Sequence, residues 1–87
     1  MEMKYECPCC GNRTLKEEGV GTFEICPVCF WENDNVQFED PDFTGGANEV
    51  SLNQARQNYQ EFRASARQHL SHVRPPLPYE IPSTGRA

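Results

Sequence analysis

The chain has no run approaching the ~20 consecutive apolar residues that a membrane-spanning helix requires. Its opening, Met1-Glu2-Met3-Lys4, lacks the apolar stretch of a secretion signal. Both absences predict a cytoplasmic protein. Apolar residues are scarce overall, 37% of 87 positions with a single Trp against seven Pro, which is too little for a generous core in one small domain. Basic side chains are outnumbered, eight Lys and Arg against thirteen Asp and Glu, for a formal charge of -5. No nucleophile paired with a base stands out, and so short a chain leaves little room for a ligand cleft of ~300 Å³, so no enzyme is expected. Cysteine is present, and the five residues are an odd number, which fits reduced thiols better than a disulfide framework.

Four of those cysteines form two pairs, in Cys7-Pro8-Cys9-Cys10-Gly11 and Cys26-Pro27-Val28-Cys29, with 15 residues between Cys10 and Cys26. A CxxC turn aims two thiolates at one point, and Pro after the first Cys presets that turn. Two such halves at this separation predict one structural Zn²⁺ held by Cys7, Cys10, Cys26 and Cys29. Bound zinc can contribute ~10 to 16 kcal/mol to folding, the term a small core leaves missing. Gly11 follows Cys10 as a knuckle glycine would, which leaves Cys9 outside the ligand set at an outward position. There it is a spare thiol, or a redox-sensitive one whose oxidation ejects zinc. A rubredoxin-like iron site is the other reading of the pairs, weakened by Phe30 where the second knuckle would carry glycine. Four thiolates close the coordination sphere, which favours structure over catalysis.

The pattern predicts an α+β fold, a small zinc-ribbon or rubredoxin-like β-hairpin module followed by a C-terminal helical segment. It forms one domain over residues 1–80, with the ribbon at 3–31, an acidic loop at 32–50, a helix from 52 to about 73, and a flexible tail at 81–87. Arg13-Thr14-Leu15 alternates as a short strand, and Thr22-Phe23-Glu24-Ile25 alternates as its return strand with Phe23 and Ile25 on one face. Phe30 and Trp31 are expected to cover the metal site and the hairpin with apolar surface. In the acidic loop, Phe38 and Phe43 are expected to pin the chain to the core while the carboxylates stay solvated; calcium is disfavoured because the acidic spacing does not fit an EF-hand. Ser51 with Gln54 reads as a capping box. Leu52, Ala55, Tyr59, Phe62, Ala66, His69 and Val73 then recur as one apolar stripe. Unbroken, that helix would run 22 residues, about 33 Å, more than a two-strand ribbon covers. Either it breaks near Ser65 and folds back, or its distal half meets a second chain in a homodimer. Pro75-Pro76 ends it, and Leu77, Tyr79 and Ile81 alternate along a segment that could lie on the domain.

Charge is unevenly placed: residues 1–49 hold eleven acidic and three basic side chains, net -8, and residues 50–87 hold two acidic and five basic, net +3. The halves could dock on each other, or the acidic half could dock on a basic protein partner. On the second reading Trp31, Glu32, Asp34, Glu39, Asp40 and Asp42 form the contact surface of an adaptor or an immunity or inhibitor protein. Arg56, Arg63, Arg67 and Arg74 would line one ridge of a continuous helix, which is the alternative, a nucleic-acid-binding zinc ribbon. The acidity of the metal half opposes it. His69 and His72 have the spacing for a second metal, but read more simply as a stripe filler and a helix-end residue.

Several blocks together resemble the bacterial cysteine-rich CPCC family: Cys7-Pro8-Cys9-Cys10-Gly11, Ile25 to Glu32, Pro41 to Asn48, Ser51-Leu52-Asn53 and Val73-Arg74-Pro75-Pro76. The resemblance spans about residues 4 to 76. It implies metal binding at Cys7, Cys10, Cys26 and Cys29 and nothing catalytic. The chain departs from it at Asn33, where a second acidic residue is frequent, and after Pro76.

Overall fold

The computed structural model describes residues 4–82, so Met3 of the expected ribbon and Ser83 to Ala87 of the expected tail lie outside the described residues. Strand β1 (Tyr5–Glu6) pairs antiparallel with β2 (Arg13–Leu15), Tyr5 facing Leu15 and Glu6 facing Arg13. This hairpin encloses the first cysteine turn instead of joining the two turns. Cys7 N–H donates to the Asn12 carbonyl (2.9 Å) and Gly11 N–H to the Cys7 carbonyl (2.8 Å). The second turn repeats this: Cys26 N–H donates to the Trp31 carbonyl (3.0 Å), Phe30 N–H to the Cys26 carbonyl (2.8 Å), and Ile25 bridges Glu32. Gly11 at φ 78° and Phe30 at φ 71° occupy matching left-handed positions. Glycine adopts that conformation freely, whereas Phe30 holds it at a cost of ~1 kcal/mol or more.

The expected return strand over Thr22 to Ile25 does not pair with β2. Phe23 takes a left-handed φ of 57°, which breaks an extended run. Its N–H donates to the Asn33 carbonyl (2.9 Å), and Asn33 N–H returns to the Glu24 carbonyl (3.0 Å). The Glu24 carboxylate instead caps the end of β2, accepting from Lys16 N–H (2.8 Å) and Glu17 N–H (3.3 Å). Phe23 and Ile25 are consequently exposed.

The segment expected as an irregular acidic loop contains a helix, α1 (Asn35–Glu39). Asp34 is its N-cap: Oδ1 accepts from Val36 N–H (2.7 Å) and Gln37 N–H (3.2 Å), and Oδ2 accepts from Ala47 N–H (2.8 Å). Gln37 is fully buried and spends both ends of its amide. Nε2 donates to the Phe43 and Val50 carbonyls (3.0 Å each), and Oε1 accepts from the Asn48 N–H (3.1 Å) and side-chain amide (3.0 Å). Asn48 in turn exchanges bonds with Glu32, donating to its carbonyl and accepting from its N–H at 2.8 Å each. A polar clamp thus replaces the expected aromatic pins, and Phe38 and Phe43 lie exposed.

Burial raises the Asp34 carboxyl pKa, but the amides of Ala47, Gln37 and Val36 outweigh it, leaving the group below its ordinary value. A carboxyl depressed on folding stabilises fully above its unfolded pKa of ~4 and loses that contribution as pH falls through the lower folded value. Asp34→Asn should therefore lower Tm by an amount that stays constant from about pH 8 to about pH 5. Melts in which the two proteins converge within that range would show that the carboxyl is not depressed.

Helix α2 (Leu52–Phe62) starts at Ser51, whose Oγ accepts from Gln54 N–H (3.1 Å). The Gln54 side chain completes no capping box and donates to Asn58 Oδ1 (2.9 Å). The helix stops at Phe62, so the continuous run to about residue 73 does not form and the expected break near Ser65 with the chain folding back does. Arg63 turns left-handed (φ 68°, ψ 35°), Ser65 N–H donates to the Cys29 carbonyl (2.8 Å) and Asn58 Nδ2 donates to the Ser65 carbonyl (2.8 Å). The small, buried Ala64, Ser65 and Ala66 allow this close approach to the second turn. The distal helix invoked for a homodimer contact is thereby absent. A 3-10 helix (Arg67–His72) follows, then a 3-10 turn (Pro78–Glu80) that packs against β2. Glu80, not the alternating Leu77, Tyr79 and Ile81, anchors that turn: the three apolar residues are exposed and Glu80 is buried. The core gathers Leu15, Val28, Trp31, Leu52, Ala55 and Tyr59 around the cysteines. No helix among the described residues is long and apolar enough to cross a membrane.

Candidate metal centre

The two turns face each other and bring Cys7, Cys10, Cys26 and Cys29 together, their sulfurs all within 4.8 Å of one another. Cys7 Sγ lies 3.6 Å from Cys29 Sγ, and Cys10 Sγ lies 3.8 Å from Cys26 Sγ. A tetrahedron with metal–sulfur bonds of ~2.3 Å has sulfur–sulfur edges of about 3.8 Å, so the donors fit a four-coordinate ion. Each turn contributes one sulfur to each short edge, because the repeated backbone pattern presents the two CxxC halves alike.

Cys7, Cys26 and Cys29 are at most 1% exposed, while Cys10 is partly exposed. Thr14 Oγ1 lies 2.9 Å from Cys26 Sγ, and Val28 N–H donates to the same sulfur (3.4 Å). Thiols this close share protons unequally. Contacts from Cys10, Cys29 and Cys7, aided by Thr14 and opposed by burial, push the Cys26 thiol far down, and hydrogen bonds with Cys10, Cys26, Cys7 and Cys9 push Cys29 up. A metal ion bound here replaces those shared protons, so its affinity falls with acidity.

Cys9 is buried, not outward: it belongs to the core cluster, because Arg56 Nε donates to the Pro8 carbonyl (2.9 Å) and draws α2 over the first turn. Trp31 is 1% exposed and has no free surface to offer a partner. Asp34 is spent on the α1 cap. Of the six residues expected on a contact surface, Glu39, Asp40 and Asp42 are exposed and Glu32 is half-buried. The clamp of Gln37, Gly46 and Asn48 that holds this segment has one sequence signal, Asp34 in N-cap position three residues before Gln37.

The arginines form no ridge once α2 ends. Arg63 lies over Tyr59 and Arg67 over Phe62, at 5.3 and 4.4 Å from the ring centroids. Arg74 makes paired 2.9 Å hydrogen bonds to Glu80, which also accepts from Leu77 N–H (2.8 Å). Hydrogen bonding to Arg74, against the opposing effect of burial, holds the Glu80 carboxyl below its ordinary value. His69 and His72 flank Phe30 at centroid distances of 4.5 and 5.1 Å. They therefore shield the second turn, and burial together with the neighbouring His72 lowers the His69 pKa. Although so short a chain is expected to leave little room for a cleft, a cavity of about 520 Å³ opens beside Cys10, Tyr59, Arg63 and Arg74. It arises where the chain leaves α2 and returns through Pro75 and Pro76.

Fold and site together define a small module in which a two-strand hairpin and helices gather four cysteines into a cluster able to hold a metal ion. The chain belongs to the cysteine-rich CPCC family, whose family model, described as Cysteine-rich CPCC, matches residues 5–80. No curated protein matches it.

Proposed function

We propose that this chain is a small, non-enzymatic zinc-binding protein that acts by contact with a basic protein partner through its acidic surface. The observation that carries the metal reading is the closed set of four sulfurs with edges of 3.6 and 3.8 Å. All four donors come from the protein, so a zinc ion there stabilises the fold and offers no open position for a substrate. Such thiols stay reduced in a cytoplasmic setting.

The contact surface is the outer side of α1 and the turn after it. Glu39, Asp40 and Asp42 are exposed there beside Val36, Phe38 and Phe43, each 38–49% exposed. Carboxylates interleaved with exposed apolar side chains suit a basic protein surface, the charges steering encounter and the apolar groups supplying contact area. The nucleic-acid reading is less well supported, since Arg56 and Arg74 are held by intramolecular hydrogen bonds and Arg63 and Arg67 lie over aromatic rings.

Native mass spectrometry should find one zinc per chain. A protein recovered by the wild type from an extract of its own cells should be lost at high salt and with the triple variant Glu39→Lys, Asp40→Lys, Asp42→Lys. Recovery of nucleic acid by the wild type, or undiminished capture by the variant, would reject the acidic-surface reading.

A further inference from the structure

The four sulfurs of the centre are not equivalent. Cys7, Cys26 and Cys29 are at most 1% exposed, whereas Cys10 is partly exposed and is the one cysteine among the residues lining the cavity of about 520 Å³; a second cavity, of about 750 Å³, is lined by Cys7, Cys9 and Cys10 alike. Cys26 Sγ has the Thr14 hydroxyl and the Val28 N–H against it, contacts that withdraw electron density from sulfur. The hydrogen-bonding contacts of Cys10 Sγ among the described residues are with other cysteine sulfurs, Cys26 Sγ at 3.8 Å and also those of Cys29 and Cys7. Exposure and the absence of a donor from hydroxyl or amide both make Cys10 the most nucleophilic sulfur of the set. The first cavity is also lined by Asn12, Tyr59 and Arg63, the Asn12 amide donating to the Tyr59 hydroxyl (3.3 Å) and Arg63 supplying positive charge near a developing anionic oxygen.

We propose that Cys10 is the oxidant-reactive thiolate of the centre, where a small hydroperoxide releases the metal by forming a Cys10–Cys26 disulfide. The inference rests on the zinc reading above and locates the reactivity on a ligand instead of on Cys9. Cys10 Sγ attacks one oxygen of the hydroperoxide; the S–O bond forms, the O–O bond breaks, and the departing alkoxide or hydroxide takes a proton from solvent. The Cys26 thiolate then attacks the resulting sulfenic sulfur; the S–S bond forms, and hydroxide leaves and is protonated to water. Two thiolates are oxidised by two electrons, one hydroperoxide is reduced to an alcohol or water plus a second water, and the centre loses two of its four donors. Cys9 is set aside because it is buried and is the immediate chain neighbour of Cys10, a poor geometry for a disulfide.

The test uses the full, zinc-loaded chain, its metal content first established by native mass spectrometry. Hydrogen peroxide is added below one equivalent, remaining thiols are blocked with N-ethylmaleimide under denaturing conditions, and peptides are mapped while a chelating dye follows released zinc. A Cys10–Cys26 linked peptide should accumulate in step with zinc release, and Cys9→Ser should release zinc at the wild-type rate. Cys10→Ser, if it retains zinc, should slow release by at least about ten-fold; if it does not fold, the wild-type map decides. A first product on Cys9, slowed release in Cys9→Ser, or zinc retained under peroxide would overturn this inference and leave the zinc reading intact. Absence of zinc from the purified chain would overturn both.

Discussion

Cys26→Ser is expected to leave the chain without a cooperative thermal transition, and chelation of the metal from the wild type should do the same. A small domain has a net stability of ~5 to 15 kcal/mol, and a structural zinc contributes ~10 to 16 kcal/mol of apparent binding energy, so removing the proposed zinc is expected to erase the whole margin. The architecture explains why nothing else compensates. The strands are two and three residues long, and the longest helix has eleven, too short to persist alone. The buried apolar residues, Leu15, Val28, Trp31 and Leu52 among them, pack around the cysteines and have no separate centre. Cys26 is the most informative ligand to remove, since its sulfur also meets Thr14 and Val28. Circular dichroism and one-dimensional proton NMR with and without zinc would check this. A dispersed spectrum and an unchanged melting curve in metal-free Cys26→Ser would reject the metal as the organiser of the fold.

Gly46→Ala is expected to be the most damaging conservative substitution away from the cysteines. A Cβ added at Gly46 would stand 2.6 Å from Gln37 Cγ, 2.7 Å from Gln37 Cδ and 2.7 Å from Asp34 Oδ2. Neither neighbour can give way cheaply. Gln37 is fully buried with four hydrogen bonds on its amide, and Asp34 caps α1 while accepting from Ala47. Overpacking costs ~1 to 3 kcal/mol, and breaking a buried hydrogen bond adds about 1 kcal/mol more. Together these predict a loss of about 2 to 4 kcal/mol, or roughly 10 to 30 °C in Tm for a domain of this size. Gly45→Ala is the internal control: its Cβ would meet Phe43 Cζ at 2.8 Å, but that ring is 38% exposed and can swing aside. Equal melting temperatures for the two variants would show that the clamp is slack.

These two expectations come from different levels of the molecule. The four-cysteine cluster was legible in the sequence because a CxxC turn is local chemistry: the spacing fixes where two sulfurs point before any tertiary contact exists. Gly11 pointed to Cys10 over Cys9 for the same reason, and the N-cap at Ser51 was readable from hydrogen-bonding preference alone. The acidic loop misled because Asp34, Gln37 and Asn48 look like solvated polar residues until Gly46 admits their hydrogen bonds into the interior. Composition cannot distinguish a polar residue in water from one whose partners are backbone groups ten residues away.

By itself, then, the sequence determined which four cysteines cluster, the family and the start of the main helix, all set by spacing within a few residues. The tertiary structure decided where that helix ends, since periodicity from Leu52 to Val73 continues past Phe62 while the Cys29 carbonyl captures Ser65 N–H and turns the chain back. It also decided that Trp31, Asp34 and Cys9 lie inside and Phe38 and Phe43 outside. Burial depends on which surfaces close over one another, and here two cysteine turns that bring four sulfurs within 4.8 Å of one another set that closure.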